Sequence, residues 1–395
     1  MSVIRTLCAL ATMLSLPPVA AELPMAVPAT GEPFAAEIVS IGPSWQIAFR
    51  AGDQLRKVAA AELAWWGSFR ESAHRGHLIL ADGGLLAATL LEADQDIVVA
   101  DAGRFGLVRL PWDFVAAAVL LPPAVRHERD RLLGRILTAS TRHDQVILAN
   151  GDELAGRVAV IRDDKLQLET DVGAVDVSLH RIRAVIFDPG LLRRLDDRPL
   201  RALVGLADGS RLVARRLVAA DQTLTITLAD GSRWERPLDQ LVGLQVLGGK
   251  VVYLSDLEPV GYRHLPYLEL RWPYRRDRHV ADGLLRAGGR LYLKGLGMHS
   301  ASRLSYQLDG QYQRFQAEVA IDDSAEGGGS VRFAVSVDGQ LKYTSPVVRG
   351  HMPPVPVSVD VRGAQRLDLV VDFADRGDVL DRADWLNARL VRSVD

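Results

Sequence analysis

Three stretches in the last third of the chain bring together side chains that can do chemistry. Pro273-Tyr274-Arg275-Arg276-Asp277-Arg278 sets an aromatic ring beside dense guanidinium groups. An aromatic face stacks on the apolar CH face of a sugar, and arginine and carboxylate hydrogen-bond its hydroxyls in fork geometry. Lys294-Gly295-Leu296-Gly297-Met298-His299-Ser300 has two glycines that allow a sharp turn, placing His299 at a loop mouth. From Asp372 to Trp385, acids fall at Asp372, Asp375, Asp378, Asp381 and Asp384, a density that would suit a hard cation such as calcium. Each stretch has a plainer explanation. Arg275 and Asp277 also suit surface ion pairs, the glycines a structural turn with His299 on backbone, and Arg376 and Arg382 would repel a metal from the acidic loop.

The elements that must position these loops are short strands. Leu304, Tyr306 and Leu308 alternate into an Asp309-Gly310 turn, and Phe315, Ala317, Val319 and Ile321 return. Val331, Phe333, Val335 and Val337 run into a second Asp-Gly turn, and Val357, Val359 and Val361 precede Leu367, Leu369 and Val371. Period-2 alternation joined by hairpins and longer crossings predicts an antiparallel two-sheet sandwich, with Trp385 in its core. Binding residues in such a fold belong in the loops at one end, where they converge without breaking the ladders.

The order of motifs adds a resemblance. YLSDLEPV, PYRRDR, KGLGMHS, AIDDSAEGGGSVRFAVSVDG and RADWLNARL follow one another between Tyr253 and Arg392. This succession resembles the NPCBM family, a carbohydrate-binding accessory domain of glycoside hydrolases. The resemblance implies a galactose-binding-like jelly roll over residues 250–395 and weak, non-catalytic recognition of a glycan. The ligand residues expected are Tyr274, Arg275, His299, Asp322 and Asp384. The family's usual histidine before Ala-Asp-Trp is Arg382 here, and KGLGMHS departs mildly from the commoner KGLGTHA. An exposed aromatic cluster at the loop end would favour sugar binding. A buried Trp385 with an arginine-capped acidic loop would favour a structural or protein-interaction role in a cell-surface assembly.

The first 250 residues carry an internal repeat. Segments 29–69, 80–121, 148–187 and 206–247 each pair a glycine turn with an alternating strand, a second glycine and an aliphatic closing strand. Units of roughly 40 residues bury too little apolar surface to stand alone. They are expected to pack as small SH3- or Sm-like barrels or one twisted sheet, a spacer or a docking platform for an envelope protein. Helical spacing at Leu132, Leu133, Ile136 and Leu137 predicts a helix in the linker 122–145, and Pro189–Leu195 a shorter one in 188–202. The units then read as beads with spacers, and Gly248-Gly249 as a hinge to the sandwich. The whole chain is therefore expected to be all-β. Trp65, Trp66 and Trp112 suit packing or a partner. His74, His77, His127, His143 and His180 show no metal spacing.

Composition excludes some classes. Over 395 residues, 47 basic side chains nearly balance 49 acidic ones, so no net field draws the chain to nucleic acid. Arg5, the apolar stretch Leu7–Leu16 and Val19-Ala20-Ala21 read as an export signal over 1–21, with no later transmembrane segment. The expected location is periplasmic or extracellular. Cys8, the only cysteine, lies within that leader, so core packing alone must hold the mature fold. Asp322 and Asp323 are adjacent at a strand end and point apart, which is poor geometry for a glycosidase pair. No serine-hydrolase elbow, phosphate loop or zinc spacing is present, and a non-enzyme is expected.

Overall fold

The alternating segments are strands. In Thr223–Thr227 the leucine and isoleucine are buried while the threonines face outward or sideways. The computed structural model describes residues 23–71, 76–103, 106–195, 200–267, 269–375 and 377–393. The leader with Arg5 and Cys8, as well as His74 and Arg376, lies outside the described residues. The protein is nearly all β, with one α-helix among the described residues, Arg126–Leu137.

The strands of the first 250 residues close on themselves in four places. In one, Val115–Val119 follows a 3-10 turn and pairs with His77–Leu80. Ile182–Ile186 does the same with Asp144–Leu148, Leu241–Leu247 with Arg201–Leu206, and Leu63–Gly67 with Met25–Pro28. Each closure therefore uses a strand that precedes the glycine turn from which the sequence boundaries were counted. The first strand is too short to show its own periodicity, whereas the turn is conspicuous.

The spacing implied by beads is not what forms. Ala117 pairs with Ile186, Gly243 with Gly67 and Arg211 with Leu85, so neighbouring units share ladders. One hydrophobic core runs from Ala26 to Val246. Pairing between units satisfies edge N–H and C=O groups that separate beads would expose. The helix lies over this junction, with Ile136 packed against Ile79, Ala117, Val119, Ile147 and Ile186. The second helical linker is only a 3-10 turn, Pro189–Leu191, capped by the Asp188 carboxylate. Trp66 is buried, its indole N–H donating to the Ala36 carbonyl at 2.7 Å, and Trp112 packs on Phe187 at 4.4 Å.

Beyond residue 250 stands the sandwich. One sheet runs Arg275–Arg276, Gly295–His299, Arg382–Arg392, Tyr312–Ile321, Val355–Asp360, with Val251–Tyr253 beside Arg382–Arg392. The other runs Gly261–His264, Ser302–Gln307, Arg366–Phe373, Ser330–Val337, Gln340–Thr344. Trp385 is fully buried between them, with ring centroids 5.1 Å from Phe333 and 6.0 Å from Phe315.

The expected hinge is a packed junction. A Cβ on Gly249 would lie 2.6 Å from the Ala61 carbonyl oxygen, and the next amide, Lys250 N–H, donates to that same oxygen at 2.8 Å. The outer face of the first sheet continues the contact. Arg389 sits 4.6 Å above the Trp65 ring, Tyr253 donates to the Ala64 carbonyl, and Gln245 donates to Asn387 across the boundary. The sandwich is thus joined to the N-terminal half by an apolar, hydrogen-bonded face.

Candidate functional site

The charged residues of the motifs first build architecture. Lys294 donates to Asp256 at 2.6 Å and to Asp277 at 2.7 Å, and Asp277 also accepts the Gly295 N–H. YLSD, PYRRDR and KGLG thereby meet in one charge cluster around the buried Lys294 ammonium. A buried ammonium needs such partners, because an unpaired charge in the interior is costly.

The five expected ligand residues are placed as follows. Tyr274 is half-buried against the sandwich core, its ring 5.2 Å from that of Tyr262. Arg275 is paired with Asp282 at 2.8 Å. His299 is not at a loop mouth: it ends the strand Gly295–His299 and is 4% exposed. Trp272 stacks flat on it with centroids 5.0 Å apart, and His264 meets it edge-on at 5.9 Å. The strand runs one turn further than the glycines implied because it pairs with the arriving Arg382–Arg392 strand as far as His299 and Arg382. Burial holds the His299 imidazole below its usual pKa, so the neutral ring is favoured.

Asp322 and Asp384 are brought together, and both are buried. Asp322 accepts the backbone N–H groups of Arg286 at 2.9 Å and Ser324 at 2.8 Å. Asp384 receives no protein donor; burial, and then the Asp322 charge, push its carboxyl well above the usual range. Burial beside a second carboxylate thus favours the neutral form of Asp384. Tyr274, Arg275 and His299 lie apart from this pair.

The acidic stretch does not converge. Asp375 pairs with Arg349 at 2.7 Å, Asp381 turns inward to accept the Ser330 N–H at 2.8 Å, and Asp384 is on a strand. Among the described residues no three or more His, Cys, Asp or Glu side chains come together as a metal-holding group. Arg382 donates to the Ser324 carbonyl at 2.8 Å, bracing the neighbouring loop.

What the loop end does present is exposed. Tyr267 is 66% and Phe373 41% exposed, and their rings meet edge-to-face at 6.4 Å. The Tyr267 ring also reaches Gly377, whose loop supplies Asp375, Val379 and Leu380 to a hollow of about 300 Å³. Gly327, Gly328, Gly329, Ser330 and Arg349 complete that hollow. Apolar ring faces beside an arginine–carboxylate pair are the chemistry sought at Tyr274 and Arg275, found instead two loops away.

Sequence reasoning missed these residues for a reason. Phe373 continues the inward series Leu367, Leu369, Val371, but the strand outruns the opposing sheet at its last residue. Tyr267 lies in a non-periodic loop; the flanking Pro266 was its only signal.

Comparison with known proteins places this geometry. Residues 250–391 match the NPCBM/NEW2 domain family, as the order of motifs implied. A Renibacterium salmoninarum protein named as an endo-alpha-N-acetylgalactosaminidase is 37% identical over 110 residues, covering 28% of this chain and 7% of that protein. Alpha-1,3-galactosidase B of Akkermansia muciniphila is 32% identical over 117 residues, covering 29% of this chain and 15% of that protein. The chain therefore spans only a small part of these curated relatives. Among solved structures, CBM51 from Clostridium perfringens GH95 in complex with methyl-galactose is 27% identical, with a TM-score of 0.32. That match covers 36% of this chain and 99% of that one. The matched residues are those of the sandwich. No described helix is long and apolar enough to cross a membrane.

Proposed function

We propose that the chain is an exported, non-catalytic carbohydrate-binding protein of the bacterial envelope, which takes a glycan at the loop end of its C-terminal sandwich. The observation that carries this reading is the exposed Tyr267–Phe373 pair beside the hollow lined by Arg349 and Asp375. The rings offer a stacking face, and the ion pair offers donors and acceptors for hydroxyls. The β units serve as a mount, because Val251, Tyr253 and Val391 of the sandwich pack on Val27, Ala64 and Leu247. A galactose-type sugar is the first ligand to test, since the Clostridium perfringens module was solved with methyl-galactose.

A second reading has its own support. Trp385 is core and Arg382 caps a loop, while Leu265, Leu270, Val379 and Leu380 leave an apolar rim exposed, as a protein-interaction component would. Glycan-array binding of the full chain, followed by calorimetry of the hits, separates the two. Sugar binding predicts a hit that weakens at least tenfold, ~1.4 kcal/mol, in Tyr267→Ala or Phe373→Ala, with the melting temperature unchanged. A folded chain that binds no glycan would assign the loop end to a protein partner.

A further inference from the structure

A second cleft lies where the N-terminal half meets the sandwich. It encloses about 620 Å³ between the helix Arg126–Leu137 and the rim of the first sheet. His127, Asp130, Arg131 and Gly134 recur at helical spacing and form the face turned to the sandwich. Asp130 accepts both terminal nitrogens of Arg286, at 2.8 and 3.0 Å, and a Cβ on Gly134 would lie 3.2 Å from the Arg278 guanidinium. The opposite wall is His279, Arg286, Asp323, Glu326 and Arg382, with Ala325 and Leu380 as apolar floor.

The acids of this cleft are largely committed. Asp130 is held by Arg286, which also pairs with Glu71. Asp323 accepts the Gly288 and Gly289 N–H groups at 3.0 and 2.8 Å. Three cations are not committed to a carboxylate. Arg126 and Arg131 form no ion pair among the described residues, and Arg382 donates only to a carbonyl. Glu326 is the one acid without a donor of its own.

His279 adds a directed donor. It is 4% exposed, and its Nδ1 accepts the Ala281 N–H at 3.1 Å, so the neutral ring carries its proton on Nε2. Burial lowers its pKa, which favours the neutral ring. Nε2 makes no hydrogen bond among the described residues. Nε2 packs against Gly283, where a Cβ would lie 2.0 Å from it and 2.8 Å from the Asp130 carboxylate. The cleft thus presents guanidinium and imidazole N–H groups over an apolar floor, with few free acceptors.

We propose that this cleft is a second saccharide subsite, built jointly by the helix and the sandwich, that takes the oxyanion of an acidic sugar. Arg126, Arg131 and Arg382 bind the carboxylate or sulfate, His279 donates to a ring substituent, and Leu380 lies under the ring. The subsite shares no aromatic residue with the loop-end site, although Leu380 borders both.

Calorimetry of the full chain with a hyaluronan tetrasaccharide, a chondroitin 4-sulfate tetrasaccharide and neutral chitotetraose tests it. The hyaluronan arm carries carboxylates only, so the first two probes separate carboxylate from sulfate recognition. The expected result is binding of one or both acidic probes, weakening as salt rises from roughly 50 to 200 mM. Arg131→Ala and Arg126→Ala, both exposed, each lower affinity about tenfold, while Tyr267→Ala and the distant Arg303→Ala leave it unchanged. Three results would overturn the subsite: no acidic probe bound by the folded chain, affinity indifferent to Arg126 and Arg131, or an equal loss in Arg303→Ala. None of them touches the neutral-sugar site, whose own variant is Tyr267→Ala.

Discussion

The outer face and the loop end of the sandwich are built from the same strands and have opposite fates. Strand Arg382–Arg392 sends Asp384, Arg389 and Val391 outward, yet all three are buried, because the hairpin Leu285–Tyr292 and the N-terminal units cover them. At the loop end, Tyr267, Phe373, Val379 and Leu380 stay exposed. The lesson concerns motif residues. Asp277, Lys294 and Asp322 read as chemistry in the sequence, and the fold spends them on pairing and capping. The exposed rings that can meet a ligand, Tyr267 and Phe373, are not the residues the motifs singled out.

Substitutions along this contrast should fall in order of burial. Trp385→Ala removes the largest fully buried side chain and should cost about 3–5 kcal/mol in chemical denaturation of the full chain. A loss under ~1 kcal/mol would mean the two sheets do not share one core.

Arg286→Ala comes next. It strips the guanidinium from Asp130 and Glu71 at the junction, leaving the buried Asp130 carboxylate unpaired, and should cost ~3 kcal/mol. If Arg286→Ala unfolds the sandwich alone while the β units persist, the covered face is weaker than its contacts suggest. A single cooperative transition, shifted as a whole, would sharpen the contrast with the free loop end.

The smallest effect is a pH dependence. Burial raises Asp381 from 3.8 to about 6, so the folded chain holds this proton more tightly than the unfolded chain. Its contribution is therefore most favourable in acid and is lost as pH rises from about 4 through about 6. Asp381→Asn keeps an oxygen acceptor for the Ser330 N–H and abolishes the titration. The variant's melting temperature should match the parent near pH 4 and exceed it by a few degrees at pH 7. A difference that does not vary with pH would show that Asp381 is solvated in the native protein.

Much of the fold was legible because alternation is local. Leu224 and Ile226, Val331 to Val337, and the Asp-Gly turns specify strands from neighbouring residues alone, and the helix follows from Leu132, Leu133 and Ile136. The candidate site was less legible. His299 was expected in a loop and lies under Trp272, since the partner strand that extends its own arrives from more than 80 residues away. The hinge at Gly249 and the spaced beads failed for the same reason: contacts with Ala61 and between closing strands are long-range.

By itself, the sequence determined the strands, the turns and the family-like order of motifs over 250–391, all of which are set by period-2 burial and short-range turn chemistry. Only the tertiary structure decided which side chains reach solvent. Whether an aspartate is a ligand or a buried acid depends on what packs over it, and for Asp384 that cover is Asp322 and the hairpin rather than any neighbour in sequence. The cleft beneath the helix was decided the same way. Arg126 and Arg382 are 256 positions apart in the chain, and the docking of the sandwich onto the β units brings them to one cavity.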